Sequence, residues 1–463
     1  MKKTEYIADE ELLLQRQYAQ KVRALLPAGR TYHIATLGCQ MNVRDSETIA
    51  GLLEEMGFSK AESKESADLV LYNTCCIREN AENKALGNII WLKELKKERP
   101  DMLICVGGCM MQEEGVAEKL AASYPFIDVI FGTHNTCRLP QLIHRTLTEK
   151  QPAVEILNTD GSICEGLPAR RSDTVTAFVN IMYGCDNFCS YCIVPYVRGR
   201  ERSRREGDIL DEVKSLRDEG VQEIMLLGQN VNSYGGGGNA FAELLYKVNA
   251  LEIPRIRFMT SHPKDLSDAL IDAISSLPHV CNQLHLPVQS GNDRILRLMN
   301  RRYTRERYFE LVQKLRSACP EIGLTTDTIV GFPGETSDEF EDTLSLIQSV
   351  RFDAAYTFIY SKRRGTPAAE MEDGVSAEEK TQRITRLISA QQEITREILK
   401  REIGKTIPVL VESASARDAG SVCGKTERGQ MVNFQGDTAD IGKILPIRIT
   451  SAGKNTLRGI KVQ

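Results

Sequence analysis

The sequence predicts an α/β protein in three successive regions: an open parallel α/β sheet, a partial (β/α)6 barrel and a small closed β-barrel. Three observations lead there. Strand-length apolar runs alternate with amphipathic helix-length runs in two separate stretches, the pattern of parallel βαβ units. One stretch without sustained periodicity divides them. The last part of the chain then changes to short strands alone, as in a small barrel. Length agrees, because 463 residues exceed what one hydrophobic core organises, and about two to four domains are expected. With 41% hydrophobic and 26% charged residues, the composition is that of a globular protein able to build such cores. No apolar run is long enough to span a bilayer, and the opening MKKTEYIADEELLLQRQ is charged and helix-like, unlike a signal peptide. A cytoplasmic, monomeric protein is expected.

Taken in order, residues 1–29 form a helical extension. Residues 30–148 alternate TYHIATLG, NVRDSETIAGLLEEMGF, ADLVLYNT, ENAENKALGNIIWLKELKKE and MLICVGG, giving the open sheet. Residues 149–172 are expected to be a linker. Residues 173–403 carry six strand candidates, TAFVNIMYG, EIMLLG, RIRFMT, QLHLPV, GLTTDTIVG and AAYTFIYS, with helices between them and a long helix near 376–403 that stops at Gly404. A barrel of this kind does its chemistry at the carboxyl ends of its strands. Residues 404–463 supply TIPVLVES, GQMVNFQ and KILPIRIT for the small barrel.

Thirteen cysteines in a chain of this character argue for metal binding or catalysis over a disulfide framework. Cys185, Cys189 and Cys192 are spaced CxxxCxxC where the first barrel strand ends. A redox or zinc loop is one reading. Zinc normally takes four protein ligands, however, and no second CxxC pair lies nearby. A 4Fe-4S cluster on three thiolates leaves one iron open, which gives an odd number a use. Cys39, Cys75 and Cys109 follow TYHIATLG, ADLVLYNT and MLICVGG, each at the carboxyl end of an expected parallel strand, the ligand edge of such a sheet. They are either ordinary buried thiols or a second three-thiolate cluster site, and their shared placement favours the cluster. Cys105, Cys137, Cys164, Cys281, Cys319 and Cys423 lack that placement and are expected to be structural. Adjacent strand side chains alternate faces, so Cys76 is expected to pack nearby while Cys75 ligates. LLGQNVNSYG, SHP, LPVQSGNDRIL and TDTIVGFPGET put small and amide residues past later strands, where backbone and side chains can meet a polar ligand.

CDNFCSYC resembles the CxxxCxΦC motif of radical S-adenosylmethionine (SAM) enzymes, with Tyr191 as the aromatic. TLGCQMN, NTCCIRENAE, GGCMMQ, GCDNFCSYCIVPYVRGRE and VGFPGET together resemble the methylthiotransferases of that superfamily, over nearly all of the chain beyond the first 30 residues. The resemblance implies two 4Fe-4S clusters. SAM would bind the open iron of the cluster on Cys185, Cys189 and Cys192 and be cleaved to a 5′-deoxyadenosyl radical. Tyr191, Gly228, Gln229, Asn230, Gln289, Ser290, Asp327 and Gly331 would line its pocket, with Gln229 and Asn230 in the segment that meets the SAM amino group. The auxiliary cluster on Cys39, Cys75 and Cys109 would carry a sulfur that one SAM methylates, while a second SAM activates the substrate carbon. Ring carbon and sulfur must meet, so both clusters should face one cavity. The branch most similar acts at position 2 of a prenylated adenosine beside the tRNA anticodon. Cys76 is not demanded by the family pattern.

RNA is the expected partner, as the tRNA anticodon stem-loop, together with an electron donor and a sulfur source of unspecified identity. VRGRERSRR places Arg198, Arg200 and Arg202 just after the radical triplet, where they would meet phosphate or form a solvated charged face. Residues 404–463 hold nine Lys and Arg against five Asp and Glu, a net +4 that leaves −8 for the rest of the chain. A basic small β-barrel suits RNA backbone and resembles the TRAM domain. Two alternatives differ in class. A sibling methylthiotransferase would act on a ribosomal-protein aspartate or on threonylcarbamoyl-adenosine in tRNA. A plain iron–sulfur electron carrier would have no substrate, and it would not need a six-unit barrel.

Overall fold

In the computed structural model, residues 4–76, 79–159, 161–171, 173–415, 418 and 420–462 are described. They form two compact units. The first comprises Met1–Ser172, Met182–Asp186 and Cys192–Arg204, and the second comprises Asp173–Ile181, Asn187–Tyr191 and Arg205–Gln463.

The first unit is built on a parallel sheet of β1 (Thr31–Thr36), β2 (Ser59–Lys60), β3 (Leu69–Thr74), β4 (Leu103–Gly108), β5 (Val129–Phe131) and β6 (Ala153–Glu155), in the order β2-β1-β3-β4-β5-β6. Every residue of β3 and β4 is buried, as central strands covered on both faces require. Alternation sorts their side chains. Val70, Tyr72, Ile104 and Val106 join Ile89 and Leu92 of α3 (Glu79–Glu98) on one face. Leu69, Leu71, Leu103 and Cys105 join Leu52 and Leu53 of α2 (Gln40–Glu55) and Leu142 of α5 (Leu139–Glu149) on the other. The expected N-terminal helix is α1 (Asp9–Leu25), whose Ala19 and Val22 enter that second face; α4 (Val116–Ser123) packs on the first, through Ala117 and Leu120. The stretch 149–172 is more than a linker, since Ala153–Glu155 is the sheet's last strand. Three residues are too few to show a period. The unit also contains α6 (Val194–Val197) and the antiparallel pair β8 (Met182–Tyr183) and β9 (Arg202–Ser203).

All six expected barrel strands are present in the second unit: β7 (Thr176–Asn180), β10 (Glu223–Leu227), β11 (Arg255–Met259), β12 (Gln283–His285), β13 (Gly323–Val330) and β14 (Ala354–Ile359). They pair in parallel as β11-β10-β7 and β12-β13-β14. Cys281 N–H donates to Ile256 O at 2.9 Å and Ile256 N–H to His279 O at 2.7 Å, which joins the two halves. Between the strands run α7 (Glu206–Asp218), α8 (Ala240–Asn249), α9 (Asp268–Ser276), α10 (Asp293–Leu298), α11 (Arg305–Ala318) and α12 (Ser337–Val350), and α13 (Ala377–Lys400) follows the last strand. Thr336 with Glu339 and Ser376 with Glu379 form capping boxes that start α12 and α13, each satisfying two orphan amides.

A closed barrel completes the unit: β15 (Thr406–Ala414), β16 (Ser421–Lys425), β17 (Met431–Gln435), β18 (Ile444–Ala452) and β19 (Leu457–Lys461), in the order β15-β16-β17-β19-β18. The sequence reading found β15, β17 and β18 and missed β16 and β19. Each missed strand carries an interior glycine. At Gly424 an added Cβ would lie 2.0 Å from Leu410 O, so a neighbouring backbone dictates the residue that broke the strand pattern.

The small barrel seats on the amino ends of the large barrel's strands. Arg255, first in β11, donates to Lys425 O at 2.6 Å and Pro408 O at 3.0 Å. Arg257 donates to Glu223 Oε2 at 2.8 Å, Thr426 O at 2.7 Å and Glu427 O at 2.8 Å, and also to Gln283. Arg428 reaches Asp353 Oδ1 at 2.7 Å. The Arg257 and Glu223 side chains are 4% and 1% exposed, so removing one strands the other's charge. Arg257→Met should destabilise the apo-protein by about 3–5 kcal/mol, and adding Glu223→Gln should recover part of that. Urea unfolding followed by circular dichroism measures both.

Candidate functional site

The thiols of the first unit lie where its parallel strands end. β1 stops at Thr36, and Cys39 begins α2 after Gly38. β3 stops at Thr74, immediately before Cys75 and Cys76, both buried. β4 stops at Gly108, and Cys109 opens the turn Cys109–Gln112. Gly38 has φ 114°, and an added Cβ there would stand 2.6 Å from Cys75 Cβ, so the first loop can lie against the second only as glycine. Asn42, on the first turn of α2, ties the edge together. Its side-chain Nδ2 donates to Leu37 O at 2.8 Å and Thr74 O at 3.0 Å, and its backbone carbonyl accepts from Asn73 Nδ2 at 2.8 Å.

Arg198 completes this edge. Its Nε donates to Cys109 Sγ at 3.2 Å, and its Nη2 donates to Asn42 Oδ1 and Asp45 Oδ2, each at 2.7 Å. Burial opposes the guanidinium's charge, but Asp45, Cys109 and Cys39 outweigh it and keep the group protonated. A hydrogen bond from the Cys76 thiol pulls the Cys109 pKa below the usual thiol value, with Arg198 adding to it against the effect of burial. The same bond, with burial, holds Cys76 well above that value. The alternation argument does not reach Cys76, because β3 ends at Thr74 and both cysteines lie beyond the pleat. Among the described residues no three His, Cys, Asp or Glu side chains close on a single metal ion. A cluster takes each thiol on a different iron and so does not need that convergence. Buried thiols with one buried cation are a donor set suited to an anionic cluster.

The radical triplet occupies one loop. Cys185 N–H donates to Gly199 O at 3.2 Å in the first unit. In the second unit, Leu298 to Tyr303 hold the loop's middle. Asn300 Nδ2 donates to Asn187 O at 3.1 Å and Phe188 O at 2.9 Å, and Ser190 Oγ donates to Leu298 O at 2.7 Å. Arg301 Nη1 donates to Cys189 Sγ at 3.3 Å and Nη2 to Pro287 O at 2.8 Å, while Nε meets Tyr303 OH at 3.0 Å. Burial opposes Arg301's charge, and Tyr303, Tyr191 and Cys189 outweigh it. None of residues 298–303 was singled out from the sequence. Asn300 and Arg302 have φ of 58° and 56°, a turn that the string MNRRY does not announce. Tyr191 packs on the apolar group of Ile295, Met299, Phe332 and Tyr360.

The other sequence candidates sit at the carboxyl ends of the barrel strands. Gly228 N–H donates to Met259 O at 3.2 Å, Gln229 is half-buried, and Asn230 Nδ2 donates to Asp265 Oδ2 at 2.7 Å. Gln289 has φ 67° and bridges β13 through Asp327 O and Ile329 N–H, each at 2.9 Å. Asp327 Oδ2 is 3.5 Å from His285 Nε2. Gly331 N–H donates to Glu335 Oε2 at 2.7 Å. Ser290, expected among the pocket-lining residues, is fully buried, and its hydroxyl pairs with Thr343 Oγ1 at 3.3 Å and accepts from Asn292 N–H at 3.2 Å. Asn230 Oδ1, Ser261 Oγ, His262 Nε2 and Thr328 Oγ1 are buried there without a hydrogen-bond partner. Such groups are costly unless a ligand satisfies them, so this edge suits a polar ligand such as SAM. Burial, then Arg301, drives the His262 pKa down, leaving a neutral ring.

The arginines after the triplet correct an expectation. Arg198 is 6% and Arg202 8% exposed. Arg198 is spent on Cys109, Asn42 and Asp45, and Arg202 donates to Arg200 O at 2.8 Å and Arg198 O at 3.2 Å. Neither presents a guanidinium to phosphate. Arg200 remains exposed, beside Asp186 at 2.7 Å.

Three family models match successive parts of the chain: the Radical SAM superfamily over residues 179–347, the Uncharacterized protein family UPF0004 over 31–132 and the TRAM domain over 400–462. The tRNA-2-methylthio-N(6)-dimethylallyladenosine synthase of Acetivibrio thermocellus is 49% identical over 469 residues, covering 99% of this chain and 98% of that protein. The protein of the same name from Alkaliphilus oremlandii is 50% identical over 438 residues, covering 94% and 93%. Among solved structures, the radical S-adenosylmethionine methyltransferase TsrM from Kitasatospora setae is similar in fold, with TM-score 0.54 and 15% identity over 74% of this chain and 77% of that one. The cobalamin-dependent radical enzyme OxsB matches at TM-score 0.50 and 13% identity over 79% and 56%. These two likenesses speak for the fold alone. No helix among the described residues is long and apolar enough to cross a membrane. By its near full-length identity, the chain belongs to the tRNA-2-methylthio-N(6)-dimethylallyladenosine synthase family of radical SAM enzymes.

Proposed function

We propose that this chain attaches a methylthio group to position 2 of an N6-dimethylallyl adenosine beside the tRNA anticodon. The observation that carries this is 49% identity over 99% of the chain to a synthase named for that product, with the thiols at both strand-end edges in support. Cys185, Cys189 and Cys192 hold one 4Fe-4S cluster with SAM, and Cys39, Cys75 and Cys109 hold a second. When bound, these groups supply the removal of a hydrogen atom from an unactivated carbon and the sulfur and methyl that replace it.

The chain's own residues prepare that chemistry. Asn300 and Ser190 fix the cysteine loop, and Arg301 sets a positive charge on Cys189. Asn230, Ser261, His262 and Thr328 offer unpaired polar atoms to the polar end of SAM. His262 Nδ1 accepts from Lys264 N–H at 3.2 Å, so the neutral ring carries its proton on Nε2 and can donate a hydrogen bond there without adding a cation. The small barrel contributes RNA contact. Lys454 and Arg458 are exposed on a groove they line with Asn455 and Thr456, clear of the face that docks on the large barrel.

Mass analysis of digested tRNA from a deletion strain tests the reaction: the methylthio product should vanish, and return with the wild-type gene. Replacing Cys185, Cys189 and Cys192 by Ala should abolish SAM cleavage by the reconstituted protein. Replacing Cys39, Cys75 and Cys109 should leave cleavage and abolish the methylthio product.

Gly38→Ala offers a structural check. Its Cβ displaces Cys75, so reconstituted iron should fall from about eight to about four atoms per chain. Gly87→Ala, with open space around the site, should retain all of it.

Lys454→Glu with Arg458→Glu should weaken tRNA binding and lower the slope of log affinity against log salt by about 1.4–1.8, the counterion release of two phosphate contacts. Fluorescence anisotropy over a salt series measures this, and an unchanged slope removes the groove from the RNA surface.

A further inference from the structure

Arg198 has no part in the RNA surface, yet it is a buried cation with three partners at one edge. Its segment leaves the radical triplet at Cys192 and ends on the auxiliary thiols, within the first unit. Two of its nitrogens are committed to different partners. Nη2 is held by Asp45 Oδ2 and Asn42 Oδ1 at 2.7 Å, on the helix that begins after Cys39. Nε is thereby aimed at Cys109 Sγ at 3.2 Å. The guanidinium fork makes this possible, since its adjacent Nε and Nη2 can serve neighbouring acceptors at once, and Asn42 Oδ1 lies 3.6 Å from Cys109 Sγ. The side chains of Arg198 and Asp45 are 7% and 22% exposed, so water screens the contact little.

We propose that Arg198 is a positioning residue of the auxiliary site, anchored by Asp45 and Asn42, whose N–H donated to Cys109 Sγ raises the reduction potential of the cluster held there. This rests on the two-cluster reading above. A cluster on three thiolates is a net anion, and reduction adds a further negative charge. A donor fixed on a ligand sulfur stabilises the reduced state more than the oxidised one. The same bond fixes which way Cys109 faces.

The test uses the full chain with Cys185, Cys189 and Cys192 replaced by Ala, reconstituted with iron and sulfide, so that one cluster remains and its midpoint potential can be read by redox titration under electron paramagnetic resonance. Arg198→Met should keep about four iron per chain and shift the potential to more negative values. Arg198→Lys should recover part of the shift, because it restores the charge without the fork. An unchanged potential in Arg198→Met at full iron content overturns the proposal. Should Arg198→Met lose its fold by circular dichroism, Arg198→Lys decides, since it keeps the positive charge and removes the Nε–H held on Cys109 Sγ. A smaller negative shift there supports the proposal, and no shift overturns it. If the parent with Arg198 intact takes up no iron, the auxiliary-cluster reading fails and the proposal falls with it.

Discussion

Parallel pairing is the constraint on which the rest of this protein depends. A parallel pair obliges the chain to leave one strand at its carboxyl end and return by a crossover, so all carboxyl-end loops collect along one edge. In the first unit β1, β3 and β4 are neighbours in the sheet, and the loops that follow them touch. Gly38 lies against Cys75, and an added Cβ on Gly108 would meet Thr74 O at 2.4 Å. Cysteines more than thirty residues apart in sequence thus share one edge without any local motif. The barrel in the second unit uses the same rule to collect Asn230, Ser261, His262 and Thr328.

Thiols gathered in a water-poor edge create a second requirement. Thiolates there, and any anionic cluster they hold, are unfavourable without positive charge close by. The protein meets this with arginine, once per edge: Arg198 on Cys109 and Arg301 on Cys189. A buried guanidinium has its own desolvation cost, and each is accordingly saturated by fixed acceptors, Asp45 and Asn42 for one and Pro287 O with Tyr303 for the other. Lysine would bring the charge but not the rigid planar fork that fixes an anchor and a sulfur at once.

The fold was legible wherever an element was long enough to show its period. All six barrel strands and the three strands that precede cysteines follow from apolar runs between amphipathic helices. β6, with three residues, and β16 and β19, each with an interior glycine, fall below that threshold. The cysteines proposed to hold clusters stand out in the sequence by their spacing and strand-end position. What surrounds them does not. Arg198 sits in a string of arginines that reads as a phosphate-binding surface, and only the tertiary path turns its side chain onto Asn42, Asp45 and Cys109. Arg301 is hidden differently, because two left-handed residues, Asn300 and Arg302, shape its turn and no composition marks them. The assignment of Cys76 rested on strand alternation, a rule that holds only as far as Thr74.

The two edges of the large barrel divide stability from chemistry. At the amino edge charged side chains are committed to docking, although Glu223 Oε1, Arg255 Nε and Arg428 Nε stay buried without a hydrogen-bond partner. Arg255 and Arg257 donate to carbonyls of the small barrel, Arg257 pairs with Glu223, and the small barrel's Arg428 pairs with Asp353. At the carboxyl edge polar atoms are left open, although burying them costs free energy. A barrel whose strands all point one way can satisfy both demands, because docking a second domain on the amino ends removes nothing from the ligand edge. The β16–β17 turn is consumed in docking, whereas Lys454 and Arg458 at the β18–β19 end stay exposed. The basic excess that the sequence assigns to residues 404–463 is thereby split by the fold. Part of it serves the interface with the large barrel, and the remainder is free to meet phosphate.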